Sequence, residues 1–242
     1  MQKPKQPCVY FVGAGPGDPE LITVKGQGLL ERADVVIYAG SLVNPVLVTK
    51  SAASLKIDSW GMNLEKIVAV MELHANAGKT VIRLHSGDPS LFGAIVEQIA
   101  ELKKRGIAVE IIPGVSSLFA AAAALQTELV LNGITDAVVI TRPAGKTLEK
   151  DHIPEFSGLG ATLAVFLGAD RIAEVIQKIT SPPDTPAAVI YHASWDDQKV
   201  IRGTVADIVQ KARDAGINKT ALLIIGQVVD PGDRYRRSHL YS

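Results

Sequence analysis

The sequence predicts an α/β protein of two domains built on mostly parallel sheets. Short apolar runs with β-branched character alternate with longer segments of helical spacing, an alternation typical of parallel sheets. A chain of 242 residues has room for two domains of ordinary size. The turn at Pro113-Gly114 separates two such alternations, so we place the domains at 1–112 and 113–242.

The first half contains four predicted strands and three predicted helices. Apolar runs predict the strands at 9–12, 35–38, 80–84 and 109–112. Helical spacing of apolar residues predicts the helices at 21–32, 64–77 and 91–105.

The second half repeats the alternation with different spacing. It begins with an alanine-rich helix at 118–125, after a capping serine. The predicted strands are 137–141, 162–167, 187–191 and 221–229, and the further helices are 169–180 and 205–215. The polar stretches 145–160 and 181–184 are interpreted as connections.

Composition excludes several classes of protein. The 25 basic residues balance the 25 acidic residues, which argues against a nucleic-acid partner. A single cysteine, Cys8, excludes an internal disulfide, and five histidines without ligand spacing give no metal motif. Neither a signal peptide nor a membrane span is recognisable, so we expect a cytoplasmic protein with no membrane partner.

A glycine loop follows the first strand, with Gly13 and Gly15 at two of the places that a dinucleotide-binding turn requires. The sixth place of that turn holds Asp18 instead of glycine. A carboxylate a few ångströms from a phosphate at a half-buried site would repel it by several kcal/mol. The loop therefore predicts a neutral or cationic ligand, although Asp18 before Pro19 can equally be a helix cap.

A second loop, Ser86-Gly87-Asp88-Pro89, follows another predicted strand. Ligands of open α/β sheets bind beyond the carboxyl ends of the strands, where this loop falls. Asp88 could accept hydrogen bonds from a ribose or an ammonium group, or cap a helix before Pro89. Since neither loop contains a basic residue, the sulfonium of S-adenosylmethionine is the predicted ligand.

These loops belong to a wider set of motifs. The whole chain resembles the tetrapyrrole (corrin/porphyrin) methyltransferases of cobalamin biosynthesis. The motifs that carry the resemblance lie at 12–26, 38–43, 86–89, 112–117, 141–142 and 191–195. The segments 38–43, 61–64 and 237–241 resemble the branch that methylates C11 of precorrin-4 or cobalt-precorrin-4.

The resemblance implies a tetrapyrrole methylase fold with the cofactor cleft between two α/β domains, a tetrapyrrole substrate and a homodimer. The cofactor-binding positions that it implies are Pro16, Ser86, Gly87, Asp88, Leu91, Ser116, Ser117, Leu167 and Ala193. Position 86 is serine where relatives often carry glycine, and position 40 is glycine where many carry an acidic residue.

Methyl transfer from a sulfonium is an in-line displacement that a dry pocket favours. The protein mainly holds the methyl carbon about 3 to 3.5 Å from the ring carbon that attacks it. Because the electron-rich ring is the nucleophile, no strong base is obligatory. Asp88 and Tyr38 are the side chains that we expect near the reaction zone.

The implied substrate carries many carboxylates, so arginines are candidate contacts. They are Arg83, Arg142, Arg234, Arg236 and Arg237, each of which can equally be a solvated surface charge. Two alternatives remain open: another acceptor, such as uroporphyrinogen III, a different precorrin or the diphthine pathway, and a non-catalytic member of the family. The intact glycine loops argue against the second.

Overall fold

The computed structural model describes residues 6–40 and 42–241. The chain divides into two compact units, Met1–Ser117 and Leu118–Ser242, where the sequence analysis divides it after residue 112. The residues before 6, on which the interpretation of the N-terminus partly rests, lie outside the described part.

The first unit alternates strands and helices. Its strands are β1 (Cys8–Gly13), β2 (Val35–Tyr38), β3 (Leu55–Asp58), β4 (Val81–His85) and β5 (Ala108–Ile112). Its helices are α1 (Val24–Leu30), α2 (Pro45–Lys50), α3 (Leu64–Asn76) and α4 (Ile95–Lys104), and a short 3-10 helix covers Pro19–Leu21.

All strand pairs of the first sheet are parallel, in the order β3-β2-β4-β1-β5. The register pairs Gly13 with His85 and Tyr38 with both Leu84 and Asp58. Because the strands are parallel, their carboxyl ends and the loops that follow them share one edge of the sheet.

Helices cover both faces of this sheet, as alternation along β1 shows. Phe11 packs in a cluster with Ile67 and Met71 of α3, whereas its neighbour Val12 packs in another with Leu29 of α1. Successive side chains of a strand point to opposite faces, so a parallel sheet with crossover helices buries both.

The second unit contains a mixed sheet. Its strands are β6 (Val138–Thr141), β7 (Thr162–Val165), β8 (Pro186–Tyr191), β9 (Lys199–Thr204) and β10 (Ala221–Ile225), in the order β6-β7-β10-β8-β9. Its helices are α5 (Ser117–Leu125, which starts at the last residue of the first unit), α6 (Ile153–Ser157), α7 (Ile172–Gln177) and α8 (Ile208–Asp214).

The predicted α/β class is confirmed, but the prediction of a mostly parallel sheet is wrong for the second unit. Only β6 and β7 pair in parallel, whereas β10 is antiparallel to β7 and β8, and β8 is antiparallel to β9. No helix lies between β8 and β9, and two strands joined by a short loop pair as an antiparallel hairpin.

Four elements are absent from the prediction: α2, β3, α6 and β9. Both missed strands lie at an edge of their sheets, and their alternating or polar residues form no apolar run. The other two edge strands, β5 and β6, are more apolar and were predicted. The predicted helix at 91–105 starts only at Ile95, because Phe92 and Ala94 take positive φ values of 56° and 47°. The predicted strand at 221–229 ends at Ile225.

Within residues 6–40 and 42–241, no helix combines the length and the apolar character that crossing a bilayer would need.

Candidate functional site

Three loops meet at the carboxyl edge of the first sheet, after β1, β4 and β5. The N–H of Ala14 donates to the carbonyl of His85 at 2.7 Å. Gly15 and Gly87 exchange backbone hydrogen bonds of 3.3 and 2.8 Å, which makes a small antiparallel bridge between the loops after β1 and β4. The two glycine loops predicted from the sequence are therefore hydrogen-bonded to each other.

Glycine is required where these loops cross, because there is no room for a side chain. A Cβ at Gly13 would lie 2.6 Å from the Cα of Gly114 and 2.7 Å from the carbonyl oxygen of Gly87. A Cβ at Gly114 would overlap the same carbonyl oxygen. Gly15 and Gly87 also take positive φ values of 80° and 61°, a region that glycine adopts without steric cost. The crossing presents main chain, and few side chains, to whatever binds above it.

Asp88 ties the loops after β4 and β5 together. Its Oδ1 accepts the N–H of Ser90 at 2.8 Å, and its Oδ2 accepts the N–H of Gly114 at 2.8 Å. No helix starts at Asp88, so the carboxylate shapes loops and does not cap a helix. Each oxygen keeps a further lone pair, and the contact with a ligand stays a prediction.

Asp18 caps the 3-10 helix Pro19–Leu21, with Oδ1 accepting the N–H of Glu20 at 2.8 Å. The long helix α1 begins only at Val24, where Thr23 is its cap. A dinucleotide-binding turn runs directly into a helix whose N-terminus holds the pyrophosphate. The loop after β1 lacks that arrangement, which agrees with the predicted preference for a ligand other than a pyrophosphate.

The first unit holds most of the predicted cofactor positions at this edge. Pro16 is buried in the loop after β1, and Ser86 precedes Gly87 in the loop after β4. A Cβ on Gly87 would lie 3.7 Å from both the Cα of Ser116 and the N of Ser117. Leu91 donates its N–H to the carbonyl of Asp88 at 3.2 Å.

Two predicted cofactor positions, Leu167 and Ala193, lie in the second unit, each just after a strand. They follow β7 and β8, which are both antiparallel to β10 and so end at the same edge of the second sheet. Leu167 takes a φ of 54°, and the neighbours of Ala193 take 46° at His192 and 72° at Ser194. Such left-handed backbone in residues other than glycine is typical of functional loops. Their contact with a cofactor stays a prediction.

An aromatic group surrounds His192 on that edge. The His192 ring stacks on Tyr191 at 3.8 Å and on Trp195 at 5.2 Å, between centroids. Asp197 Oδ1 lies 2.8 Å from His192 Nδ1. A separate cavity of about 410 Å³, lined by Thr185 and Gln227 among others, lies at the opposite edge of this sheet and contains none of the predicted positions.

Two buried basic residues, Arg83 and His85, lie in β4 just before the glycine crossing. Arg83 donates from Nε to Gln98 Oε1 at 3.2 Å and from Nη1 to the carbonyl of Ile37 at 3.3 Å. Burial lowers the pKa of Arg83 to about 10, with Asp58 opposing the effect.

His85 stacks on Phe11 at 5.7 Å and is only 9% exposed. Burial, helped by Arg83, lowers the pKa of His85 to about 3, so its imidazole is neutral at physiological pH. From the sequence, a solitary histidine at the end of a strand is either a hydrogen-bonded structural residue or a base. The fold leaves this imidazole a weak base that is buried away from solvent, which favours the structural role.

The other candidate arginines are partly engaged by their own chain. Arg142 donates to the hydroxyl of Thr147 at 2.7 Å and to its carbonyl at 3.0 Å. Arg234 donates to the carbonyls of Asp230 and Pro231. The aliphatic part of Arg236 packs close to Gly133. For these residues and Arg237, contact with substrate carboxylates stays a prediction.

Asp58, at the carboxyl end of β3, is a side chain that the sequence analysis does not single out. Its Oδ1 accepts the N–H groups of Gly40 and Trp60 at 3.0 and 2.9 Å. Beside it, Tyr38 is half-buried at the end of β2, and the carbonyl of Tyr38 accepts the hydroxyl of Ser59 at 2.9 Å. The sequence analysis did not find Asp58 because it did not predict β3, the strand that Asp58 ends.

Among the residues that the structure describes, no group of three or more histidine, cysteine, aspartate or glutamate side chains could hold a metal ion.

Glycine loops that cross at the carboxyl ends of parallel strands are typical of small-molecule-binding proteins of the α/β class. Residues 8–209 match the sequence profile described as Tetrapyrrole (Corrin/Porphyrin) Methylases. The chain therefore belongs to the tetrapyrrole methylase family.

Individual relatives agree with this membership. The chain is 52% identical over 240 residues to the cobalt-precorrin-4 C(11)-methyltransferase of Methanocaldococcus jannaschii, covering 97% of this chain and 92% of the relative. The X-ray structure of a cobalt precorrin-4 methyltransferase superposes with a TM-score of 0.91 at 41% identity, over 96% of this chain and 99% of that one. Uroporphyrin-III C-methyltransferase from Thermus thermophilus, complexed with S-adenosylhomocysteine, superposes with a TM-score of 0.78 at 28% identity, over 92% of this chain and 93% of that one.

Proposed function

We propose that the protein transfers a methyl group from S-adenosylmethionine to C11 of cobalt-precorrin-4 or precorrin-4, in the biosynthesis of cobalamin. The observation that carries most weight is the 52% identity, over nearly the full length of both chains, to an enzyme of that name. A solved cobalt precorrin-4 methyltransferase has the same fold, with a TM-score of 0.91.

The residues at the carboxyl edge of the first sheet fit S-adenosylmethionine. Gly13, Gly87 and Gly114 bring three stretches of main chain together without side chains, which suits a ligand gripped by backbone atoms. Asp18 and Asp88 are the charged side chains of the first two loops, and neither loop contains lysine or arginine. The ligand in the solved uroporphyrin-III methyltransferase is S-adenosylhomocysteine, the product form of this cofactor.

The cofactor, when bound, supplies a methyl group on a positively charged sulfur. The chain itself contributes through the loop crossing, through Asp88 and through His85. The crossing of the three loops fixes the position of the main chain that holds the cofactor, and Asp88 keeps the loops after β4 and β5 in register. Buried His85 stays neutral and adds no positive charge beside a cationic ligand.

Calorimetry and a product analysis test this function. We expect purified protein to bind S-adenosylhomocysteine and to add one methyl group at C11 of cobalt-precorrin-4 or precorrin-4, identified by mass and NMR. Asp88→Ala should weaken the binding by tenfold or more, about 1.4 kcal/mol, because the loops lose their bridge. Absence of heat at millimolar ligand would contradict the cofactor, and methylation of uroporphyrinogen III or of another ring position would contradict the substrate.

The state of the metal in the substrate, the homodimer and the cytoplasmic location remain predictions. Enzyme assays with and without cobalt in the ring, and the mass of the native protein in solution, test the first two.

A further inference from the structure

Asp58 is a carboxylate whose two oxygens have different surroundings. Oδ1 accepts two backbone N–H groups, from Gly40 and Trp60, which hold the side chain in place. Oδ2 makes no hydrogen bond or ion pair within residues 6–40 and 42–241, and the residue is exposed. One oxygen therefore fixes the carboxylate, and the other is available to a ligand.

Gly40 makes room for this carboxylate. A Cβ at position 40 would overlap Asp58 Oδ2, so any other residue would displace the carboxylate. Gly40 has no positive φ that would by itself demand glycine. The glycine is thus explained by the approach of Asp58, which places a negative charge where a side chain at position 40 would begin.

The place of Asp58 in the sheet suits the substrate and not the cofactor. The glycine crossing belongs to β1, β4 and β5, whereas Asp58 ends β3, two strands away from β4. Two strand spacings amount to about 10 Å. A ligand above the crossing would leave the ends of β2 and β3, with Tyr38 and Asp58, for the molecule that receives the methyl group.

We propose that Asp58 contacts the tetrapyrrole through Oδ2 and accepts the proton that the ring loses on methylation; this rests on the proposed function. As the bond from C11 to the methyl carbon forms, the bond from that carbon to sulfur breaks, and its electron pair stays on sulfur. The ring nitrogen conjugated to C11 becomes an iminium N–H, and its proton passes to Asp58 Oδ2. The ring is left as a neutral imine, and the carboxylic acid then releases the proton to solvent.

A carboxylate is suited to this step on two physical grounds. An iminium N–H is acidic, so a weak base is enough to remove its proton. A fixed negative charge also stabilises positive charge that develops on the ring, and the two N–H groups on Oδ1 hold it there before the reaction starts.

Asp58→Asn tests the proposal, because its amide oxygen can keep both backbone N–H groups while the charge and the proton acceptor are lost. We expect kcat to fall by about 100-fold or more. The Kd for S-adenosylhomocysteine should stay close to that of the unchanged protein. The midpoint of thermal unfolding should fall only slightly, because Asp58 also offsets the burial of the Arg83 charge. Gly40→Ala should lower kcat as well, by pushing Oδ2 away, although it leaves Asp58 intact.

Asp34→Asn is the matched control. Asp34 lies in the same unit and its Oδ2 also accepts a backbone N–H, that of Thr80 at 2.7 Å, but it precedes β2 at the amino edge of the sheet. We expect its kcat to stay within twofold of the unchanged protein.

The outcomes separate the two proposals. If the unchanged protein methylates C11 and Asp58→Asn keeps its kcat within threefold, or raises only KM, the assignment of the proton acceptor is overturned and the proposed function stands. If the unchanged protein binds S-adenosylhomocysteine but methylates no precorrin-4 substrate, the proposed function itself fails.

Discussion

Glycine residues of this chain have different roles, which can be told apart only from the atoms that surround each glycine in the folded protein. Gly13 and Gly114 lie where main chains cross, so a Cβ at either would come within 2.8 Å of a backbone atom. Gly28 lies in α1 with no atom near the place that a Cβ would take. The sequence predicted Gly13 as part of a ligand loop, but local sequence carries no information on which segments of the chain cross there.

Alanine at these two kinds of position should act in opposite directions. Gly114→Ala should lower the free energy of unfolding by about 2 kcal/mol or more, because backbone cannot yield as a side chain can, and should reduce binding of S-adenosylhomocysteine. Gly28→Ala should raise the free energy of unfolding by up to about 1 kcal/mol, since alanine favours a helix. Urea denaturation measures both, and equal effects of the two changes would contradict this account of the crossing.

Asp88 and Asp18 show which side-chain contacts follow from local sequence and which do not. Both were given two interpretations, a ligand contact or a cap. Asp18 does cap a short helix, whereas Asp88 joins two loops through Ser90 and Gly114. The bridge to Gly114 spans residues far apart in sequence, and local patterns carry no information on such a contact.

At the scale of elements, the connection between β6 and β7 is ordered although its composition predicts only a polar loop. Asp151, with a side chain only 3% exposed, accepts the N–H of Ala144 at 2.8 Å and the Nζ of Lys178 at 2.6 Å. It also accepts the N–H of Ile153, whose side chain is buried at the start of α6. One buried carboxylate thus organises the connection.

Asp151→Ala should lower the free energy of unfolding by about 3 kcal/mol, because it removes all three hydrogen bonds and leaves buried N–H groups unpaired. Asp170→Ala is the control: its side chain is 70% exposed, and it lies 4.0 Å from Arg171. We expect that change to cost less than about 0.5 kcal/mol. Denaturant titrations compare the two, and a similar small effect at Asp151 would show that the connection does not depend on it.

For the whole molecule, burial of His85 ties stability to pH. Below pH 6.5 the unfolded chain binds a proton at this histidine, whereas the folded protein resists protonation until about pH 3. The unfolded state therefore binds more protons across this window, and stability falls as the pH falls from about 6.5 to about 3. Above about pH 6.5 His85 is neutral in both states, so this loss of stability is absent.

We expect His85→Phe, which can still stack on Phe11, to flatten this dependence by a few kcal/mol between pH 7 and pH 4. His152→Phe is the control for the substitution itself, because it makes the same change at a side chain that is 58% exposed. The measurement is the free energy of unfolding in urea at a series of pH values. Parallel curves for His85→Phe and the unchanged protein would mean that His85 is not held neutral by the fold.

The two units also show why some elements were predictable. The central strands β1, β2, β4, β7, β8 and β10 are buried apolar runs, and each was predicted near its true place. Of the four edge strands, β5 and β6 are apolar enough to have been predicted, whereas β3 and β9 carry alternating or polar residues and were missed. The candidate site followed the same division: the glycine loops after buried strands were found, and Asp58 at the end of an edge strand was not.

The sequence by itself determined the α/β class, the central strands and the two glycine loops, because burial and tight turns impose residue types that are visible along the chain. Only the tertiary structure decided that the second sheet is mixed, that three loops cross at Gly13, Gly87 and Gly114, and that Gly40 makes room for Asp58. These features depend on strand order and on atoms from distant segments meeting within a few ångströms, and no local pattern of residues encodes such meetings.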